Sequence, residues 1–349
     1  MIKKYQAALL ITILVGMLCT GCGLAGKTEN VSAGMASIAA LEYDNALTSF
    51  ETAKTSKEDG RLLYRGEGLA YMGKTMYTEA ATAFETALTF SDGNVDDVDY
   101  DINLYLATAY YKLGEIEKTI KVYDAILALK PEEKDVYYLR GIVHTGSGNL
   151  ELAKADFDRV IALDGNNYDR LIDIFCALQA NGYKEVGQEY LQAAMDAGTK
   201  NMTNFEKGRI SYYLGDYENA RTYLEKARDE SGYEAVLFLG KTYETLGDNN
   251  YAISVYNTYL DNKESNPQVL NQLGLCKMET GDYAGALTAF QTAMNIEDNG
   301  MLQTLKMNEI IAYERLEEYK KACVLLEGYL KTYPDDQEAQ REYIFLQTR

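Results

Sequence analysis

Histidine, tryptophan and proline are scarce in this chain. Its 349 residues include one histidine, His144, three prolines and no tryptophan. One histidine and scattered cysteines do not give the ligand spacing of a zinc site, and no nucleophile or carboxylate is identified as a catalytic partner of His144. Scarce proline is typical of nearly continuous helices, because proline interrupts a helix interior. These absences predict a helical protein that is not an enzyme and has no cofactor.

Basic residues are also in deficit. The chain has 34 lysines and arginines against 53 aspartates and glutamates, which gives a formal net charge of −19. A field of this sign repels phosphate backbones and anionic lipid headgroups, so nucleic-acid binding is disfavoured. Any contact with a membrane must therefore come from something other than charge.

The N-terminus has the order of a targeting segment. Two lysines precede an apolar run from Ala7 to Leu18, a pattern typical of a secretory signal peptide. This run of about 12 residues is shorter than the roughly 20 that span a bilayer as a helix. The small residues before Cys22 resemble the lipobox of bacterial lipoproteins, which implies a signal peptide over residues 1–21 and lipidation of Cys22. The alternative is an ordinary secreted protein that is cleaved nearby.

A small residue followed four positions later by a large apolar one recurs along the rest of the chain. The nine pairs are spaced by 32 to 39 residues. They are Ala46/Phe50, Ala80/Phe84, Thr119/Tyr123, Ala153/Phe157, Gly187/Leu191, Ala220/Leu224, Ala252/Tyr256, Ala286/Phe290 and Ala322/Leu326. Twelve residues before several of the small residues lies another small one, as at Gly68 and Gly141. Two helices approach closely where a small side chain faces a large one, so each repeat is predicted to be a helical hairpin.

A glycine lies midway through most of the repeats, often followed by an acidic residue and a tyrosine. Gly215-Asp216-Tyr217 and Gly281-Asp282-Tyr283 are examples. Glycine tolerates positive φ and can end the first helix, and the aspartate can accept a hydrogen bond from the free amides of the second. A single hairpin cannot bury its apolar faces, so neighbouring hairpins are predicted to stack.

This pattern resembles the tetratricopeptide repeat, a helical hairpin of about 34 residues. The matching positions in the second repeat are Tyr64, Gly68, Tyr71, Tyr77, Ala80, Phe84 and Ala87. The resemblance implies an all-α, right-handed superhelical solenoid of about nine hairpins over residues 30–334. Residues 22–29 are then a short lipid-anchored linker, and residues 335–349 a C-terminal capping helix. In the fifth repeat, Phe175 replaces the small residue and Gly187 the alanine, so irregular packing is expected there.

Three cysteines lie in the repeats, namely Cys176, Cys276 and Cys323. Their odd number and their places in different repeats predict that they form no disulfide. Each falls in an apolar helical pattern and is expected to be a small buried residue. His144 occupies the position at which other repeats have a tyrosine, so a core role is expected for it.

Two other segments look like ligand sites. Residues 68–75 satisfy the spacing of a phosphate-binding loop, but Gly68 and Tyr71 are already packing positions of a helix, so a nucleotide-binding enzyme is disfavoured. Five aspartates between Asp92 and Asp101 could offer oxygen ligands to calcium. Their spacing does not fit an EF-hand, and an extended loop leading into helix caps is favoured, although calcium binding stays open.

In the family that the pattern resembles, ligands lie along the first helices of successive repeats. Projecting the helical period outward from the packing positions gives a candidate partner-binding face. It comprises Arg65, Tyr105, Thr108, Tyr111, Tyr138, Ile142, Phe205, Arg209, Tyr212, Lys241, Asn271 and Met278. The strongest candidates are Tyr105, Tyr111, Tyr138, Phe205, Arg209, Tyr212, Lys241 and Asn271. Tyrosine and arginine are frequent anchors in interfaces, but these tyrosines could instead fill gaps between helices.

The leading hypothesis is an exported lipoprotein of the bacterial cell envelope, tethered to a membrane through Cys22, that acts as a scaffold for a protein or peptide partner. A binding protein that captures a small molecule or glycan is the alternative.

Overall fold

The computed structural model describes residues 28–91, 93, 95–198, 202–228, 232–262 and 265–349. The predicted signal peptide and Cys22 lie outside these residues. Nineteen helices and no strand occur in the described part. They are α1 (Glu29–Ala39), α2 (Tyr43–Thr55), α3 (Gly60–Gly73), α4 (Tyr77–Leu88), α5 (Asp97–Lys112), α6 (Ile116–Leu129), α7 (Lys134–Gly146), α8 (Leu150–Asp164), α9 (Tyr168–Ala180), α10 (Lys184–Gly198), α11 (Asn204–Leu214), α12 (Tyr217–Ala227), α13 (Gly232–Thr245), α14 (Asn249–Asn262), α15 (Pro267–Glu279), α16 (Tyr283–Met294), α17 (Leu302–Arg315), α18 (Tyr319–Thr332) and α19 (Gln337–Leu346).

The helices from α1 to α18 pair into nine hairpins. The last helix, α19, packs on α18 and has no partner helix of its own. This confirms the predicted all-α class and the predicted number of repeats. No described helix is long and apolar enough to cross a membrane. Contacts divide the chain into two compact units, and the first ends at Gly187, inside α10.

Glycine forms the turn of six hairpins, as the sequence predicts. Gly114, Gly148, Gly182, Gly215, Gly247 and Gly281 all have φ between 76° and 86°. In three of these six hairpins the residue after the glycine is an aspartate that caps the second helix. Asp216 accepts a hydrogen bond from the backbone N–H of Asn219, and Asp282 accepts one from Gly285. These bonds satisfy amides that would otherwise be left free at a helix N-terminus.

In six hairpins the two helices approach closely where a glycine of the first helix faces a large side chain of the second. A Cβ atom added to Gly141 would lie 2.6 Å from Cε1 of Phe157, and one added to Gly34 would lie 2.5 Å from Cε1 of Phe50. Glycine is therefore required at these positions by contact, not by backbone angle. Each ring fills the space that its glycine leaves, which is why Phe50 and Phe157 are fully buried.

The fifth hairpin inverts this arrangement, since the large residue is on the first helix and the glycine on the second. A Cβ added to Gly187 in α10 would lie 2.9 Å from Cδ2 of Phe175 in α9. The departure predicted from the sequence is thus an exchange of large and small partners, and complementary packing is kept. The division between the two units falls at this same hairpin.

Two expectations need correction. The segment predicted as an extended loop up to Asp101 is shorter, because α5 already begins at Asp97. Asp96 and Asp99 form a capping box that starts this helix. The three cysteines of the repeats are free thiols, but Cys176 is exposed, whereas Cys276 is buried and Cys323 is half-buried. Cys176 is on the outward face of α9, so the expectation that all three are core residues was wrong.

Three hairpins turn without glycine. Leu41, Thr75 and Glu317 have φ of 61°, 59° and 62° at the positions where the other hairpins have glycine. This left-handed conformation costs a non-glycine residue about 1–2 kcal/mol, and a β-branched residue such as threonine is especially unsuited to it.

Substituting Thr75→Gly is therefore expected to raise the free energy of unfolding by about 1 kcal/mol, the strain being offset in part by the greater backbone entropy of glycine. Urea unfolding followed by circular dichroism measures the change. The reverse substitution Gly148→Thr is the matched control and is expected to lower stability. Equal stability of both variants would contradict the assignment of strain to this turn.

Candidate functional site

The predicted partner-binding residues all lie on first helices of hairpins. Tyr105, Tyr111 and Tyr138 belong to α5 and α7 of the first unit, and the other five belong to α11, α13 and α15 of the second. The two sets are considered separately. Their role in partner binding stays a prediction, and their surroundings differ from one residue to the next.

In the first unit, Tyr105 and Tyr138 are packed against neighbouring repeats. The ring of Tyr105 stacks on Phe84 with 5.8 Å between centroids, and the residue is half-buried. Tyr138 is 3% exposed, and the guanidinium carbon of Arg170 lies 4.0 Å from its ring centroid. Burial raises the pKa of both phenols, so both remain neutral in the physiological range. Tyr138 therefore presents little of its own surface to a partner.

Tyr111 lines an open cleft of about 700 Å³ between α5, α6 and α7. The cleft is also lined by Lys112, Ile116, Glu117, Val143, Gly146 and Ser147. Its volume lies in the range of small-ligand sites, and it combines apolar walls with a lysine, a glutamate and two hydroxyl groups. The cleft is open to solvent, and Tyr111 is the aromatic residue among those that line it.

In the second unit, four aromatic residues form a cluster on the faces of α11 and α13, which we call the aromatic cluster. It comprises Phe205, Tyr212, Tyr213 and Phe238. The Phe205, Tyr212 and Tyr213 rings meet the Phe238 ring edge to face, with centroids 5.6–6.2 Å apart. Phe205, Tyr212 and Tyr213 are on α11, and Phe238 is on α13 of the next repeat. Such edge-to-face pairs hold the rings in a fixed geometry while leaving part of each accessible.

Arg209 lies among these rings. Its guanidinium carbon is 5.1 Å from the Phe205 centroid and 5.5 Å from the Phe238 centroid. A guanidinium held between two aromatic faces keeps its charge and is restricted in orientation. The cluster thus combines apolar area with a fixed positive charge, which is the composition of residues that dominate protein interfaces.

Lys241 and Asn271 extend this face toward the C-terminus. Lys241, one turn beyond Phe238 on α13, is exposed. Asn271 on α15 is buried and accepts a hydrogen bond of 2.8 Å from Nδ2 of Asn308 on α17. Asn271 therefore joins two adjacent first helices, while Lys241 is presented to solvent.

Phe238 and Tyr213 are members of the cluster that sequence reasoning did not propose. Phe238 precedes the packing residue Gly240 by two positions, as Tyr105 precedes Ala107. The same register that selected Tyr105 would have selected Phe238. Tyr213 follows Tyr212 directly, and no periodic signal distinguishes it.

His144 is a buried residue beside an ion-pair network in the first unit, as the core interpretation predicts. The Arg140 guanidinium donates to both carboxylate oxygens of Asp156, over 3.0 and 2.6 Å, and a further bond goes to Asp124. Nε2 of His144 lies 4.0 Å from Asp156. Burial lowers the pKa of His144, so the imidazole is neutral at pH 7. No nucleophile is aligned with it among the contacts described.

The phosphate-loop lookalike is helical, as predicted. Gly68 faces Phe84 and Gly73 faces Tyr43, so both glycines are packing positions of α3. The Lys74 ammonium pairs with Asp44. The backbone amides of this segment make helical hydrogen bonds, and Lys74 is in an ion pair. The segment therefore does not form a phosphate-binding loop.

The aspartates from Asp96 to Asp101 are engaged by cations and helix amides. Asp99 is buried and pairs with Arg61 at 3.2 Å, while Asp101 pairs with Arg65 at 2.5 Å. Asp92 lies outside the described residues. Within the described part of the chain, no three acidic, histidine or cysteine side chains are grouped to hold a metal ion.

Comparison with known proteins adds to this geometry. A family model described as tetratricopeptide repeat matches residues 104–168 and 205–267. A TPR repeat-containing protein of Methanocaldococcus jannaschii is 25% identical over 231 residues, which are 65% of this chain and 37% of that protein. The BBSome complex member bbs-4 of Caenorhabditis elegans is 27% identical over 156 residues, 42% of this chain and 34% of that protein. The chain spans little more than a third of the length of these two relatives.

Among solved structures, a tetratricopeptide repeat protein from Parabacteroides merdae is 13% identical, with a TM-score of 0.45, and the match covers 72% of this chain and 98% of that one. Repeats of this kind generally serve as scaffolds for protein–protein interaction. The family model assigns tetratricopeptide repeats to residues 104–168 and 205–267, where the structure has helical hairpins.

Proposed function

We propose that this chain is an exported scaffold, tethered to a membrane of the bacterial cell envelope through a lipid on Cys22, which binds a protein or peptide partner. The observation that carries the binding part is the aromatic cluster of the second unit. Phe205, Tyr212 and Phe238 are all half-buried, with Arg209 held among them and Lys241 exposed beside them. Rigid aromatic side chains beside a positive charge favour protein recognition over catalysis.

The partner-binding proposal is tested by affinity capture from membranes with the full chain and with the variant Phe205→Ala/Phe238→Ala. Truncating two interface anchors is expected to reduce recovery of the partner at least tenfold, because each anchor contributes more than about 1 kcal/mol. Leu152→Ala is the matched control, since Leu152 is an exposed apolar residue on the second helix α8. Recovery of the same proteins by all three chains would contradict the proposal.

The tether is supported by the signal-like segment and the residues before Cys22. Two or three acyl chains hold a protein at a bilayer, because each buried methylene contributes about 0.8 kcal/mol. Growth with radioactive palmitate followed by membrane fractionation should label the wild-type chain and leave Cys22→Ala unlabelled and released. A labelled Cys22→Ala chain would place the lipid elsewhere, and unlabelled wild type would remove the lipid from the proposal.

A small molecule or glycan is a second candidate ligand, favoured by the open cleft beside Tyr111. Calorimetric titration with mono- and oligosaccharides tests it. Heat that disappears in Tyr111→Ala would support this function, and an absence of heat in the wild type would exclude it for those sugars.

A further inference from the structure

One equivalent position on the first helices of the second unit is occupied by a basic residue in two successive repeats and by an aliphatic residue in the next two. It is the residue directly after each packing position, occupied by Arg209 on α11, Lys241 on α13, Leu275 on α15 and Ile311 on α17. We call these four residues the row. The packing positions themselves, Gly208, Gly240, Gly274 and Ile310, are buried, so the row occupies the adjacent, outward position on each helix.

The two aliphatic members of the row are partly open to solvent. Leu275 is 36% exposed and Ile311 is 38% exposed. A single exposed aliphatic residue is ordinary, but these two occupy equivalent positions on adjacent, contacting helices. They therefore add an apolar stretch to the face that begins with the aromatic cluster.

Lys241 supplies the opposite chemistry at the other end of this stretch. It is exposed, and no carboxylate among the described residues forms an ion pair with its ammonium group. The nearby Glu244 carboxylate is already used, because it accepts hydrogen bonds from the Tyr256 hydroxyl at 2.7 Å and from Gln272 at 3.0 Å. An exposed lysine without an ion-pair partner attracts a carboxylate at contact distance, and this attraction acts against the general repulsion from a chain with a net charge of −19.

Side-chain hydrogen bonds join the helices that carry the last three residues of the row. Gln272 on α15 donates to Glu244 on α13, and Asn308 on α17 donates to Asn271 on α15. Each bond joins two adjacent first helices beside the row, so the separations of Lys241, Leu275 and Ile311 are held by the scaffold. A recognition surface gains specificity when its contact groups are fixed in this way before binding.

From this arrangement we infer the chemistry of the partner segment. Helices pack about 8–10 Å apart, so two steps from α13 to α17 span about 16–20 Å. An extended chain advances about 3.3 Å per residue and covers this distance in about five or six residues. The row binds an extended segment whose carboxylate faces Lys241 and whose aliphatic side chains contact Leu275, about three residues away, and Ile311, about five or six residues away. This inference rests on the proposed partner-binding function of the same face.

The test uses a library of random dodecapeptides displayed on phage and selected on the full chain. Selected peptides are expected to have aspartate or glutamate five or six residues from leucine, isoleucine or methionine. Selection on Lys241→Glu should replace the acidic preference by lysine or arginine, and selection on Leu275→Ser/Ile311→Ser should lose the aliphatic preference alone. A synthetic peptide of the selected consensus should bind Lys241→Glu at least about tenfold more weakly than it binds the wild type.

Lys331→Glu is the matched control, because Lys331 is an exposed lysine on α18, outside the row. It should leave both preferences unchanged. The inference is overturned if peptides selected on the wild type lack the acidic preference, or if Lys241→Glu keeps it. Peptides that bind through Phe205 and Phe238 without either preference would overturn this inference and leave the proposed function standing. Failure to select any binding peptide would count against both.

Discussion

Replacement of Phe290 by alanine is expected to lower the free energy of unfolding of the second unit by about 3–5 kcal/mol. The ring is 0% exposed and fills the space that Gly274 leaves between α15 and α16. Its removal loses the free energy gained when the ring is transferred out of water. It also leaves a cavity between α15 and α16 that the two helices cannot close. Urea unfolding monitored by circular dichroism measures the loss.

Phe345→Ala is the control for this prediction, since Phe345 on α19 has the same side chain but is 43% exposed. It should change stability by less than about 1 kcal/mol. In a stacked array one weak repeat can also separate the unfolding of its neighbours, so the transition of Phe290→Ala should broaden or split. Equal effects of the two substitutions would show that the glycine-facing ring is not a principal source of stability.

Replacement of Arg140 by methionine is expected to lower the stability of the first unit by about 3–5 kcal/mol. The Asp156 carboxylate is buried and accepts two hydrogen bonds from Arg140, so the substitution leaves a buried charge without its main partner. Removing this cation should also raise the pKa of His144, which burial and the Arg140 charge both lower. Thermal unfolding and an NMR titration of the imidazole report the two effects.

The double substitution Arg140→Met/Asp156→Leu should recover most of the loss, because it removes the stranded charge as well. Lys331→Met is a control for a solvent-exposed pair, since Lys331 and Glu327 are both largely exposed at 3.0 Å, and it should cost less than about 1 kcal/mol. If Arg140→Met were as mild as this control, the buried network would have no structural importance.

The fold could be predicted from the sequence because its determinants are local. Turn glycines such as Gly215 and pairs such as Gly141 with Phe157 recur at nearly constant spacing, and each has a direct steric reason. The segment before α5 was less readable. Its run of aspartates suggested a loop up to Asp101, whereas Asp96 and Asp99 cap a helix that begins at Asp97. The same residue type serves both purposes, so composition alone did not place the boundary.

The candidate site could be predicted in part, since the helical period selects a face but not the contacts made across repeats. Tyr138 was proposed as a binding residue, but it is buried, and Arg170 of the following repeat lies over its ring. Phe238 was missed although it has the register of Tyr105. The exposure of Cys176, in a helix where apolar spacing suggested a core position, likewise depends on which neighbour covers that face.

The glycine-facing pairs also bear on the order in which the chain acquires its structure. Gly34 and Phe50, Gly68 and Phe84, and Gly274 and Phe290 are each separated by 16 residues and lie in one hairpin. Closing so short a loop costs little chain entropy, and topologies rich in local contacts fold quickly. Each hairpin therefore brings its own packing pair together without waiting for residues synthesised later. A nascent chain can accordingly acquire its repeats in succession, with only the outermost apolar face awaiting its neighbour.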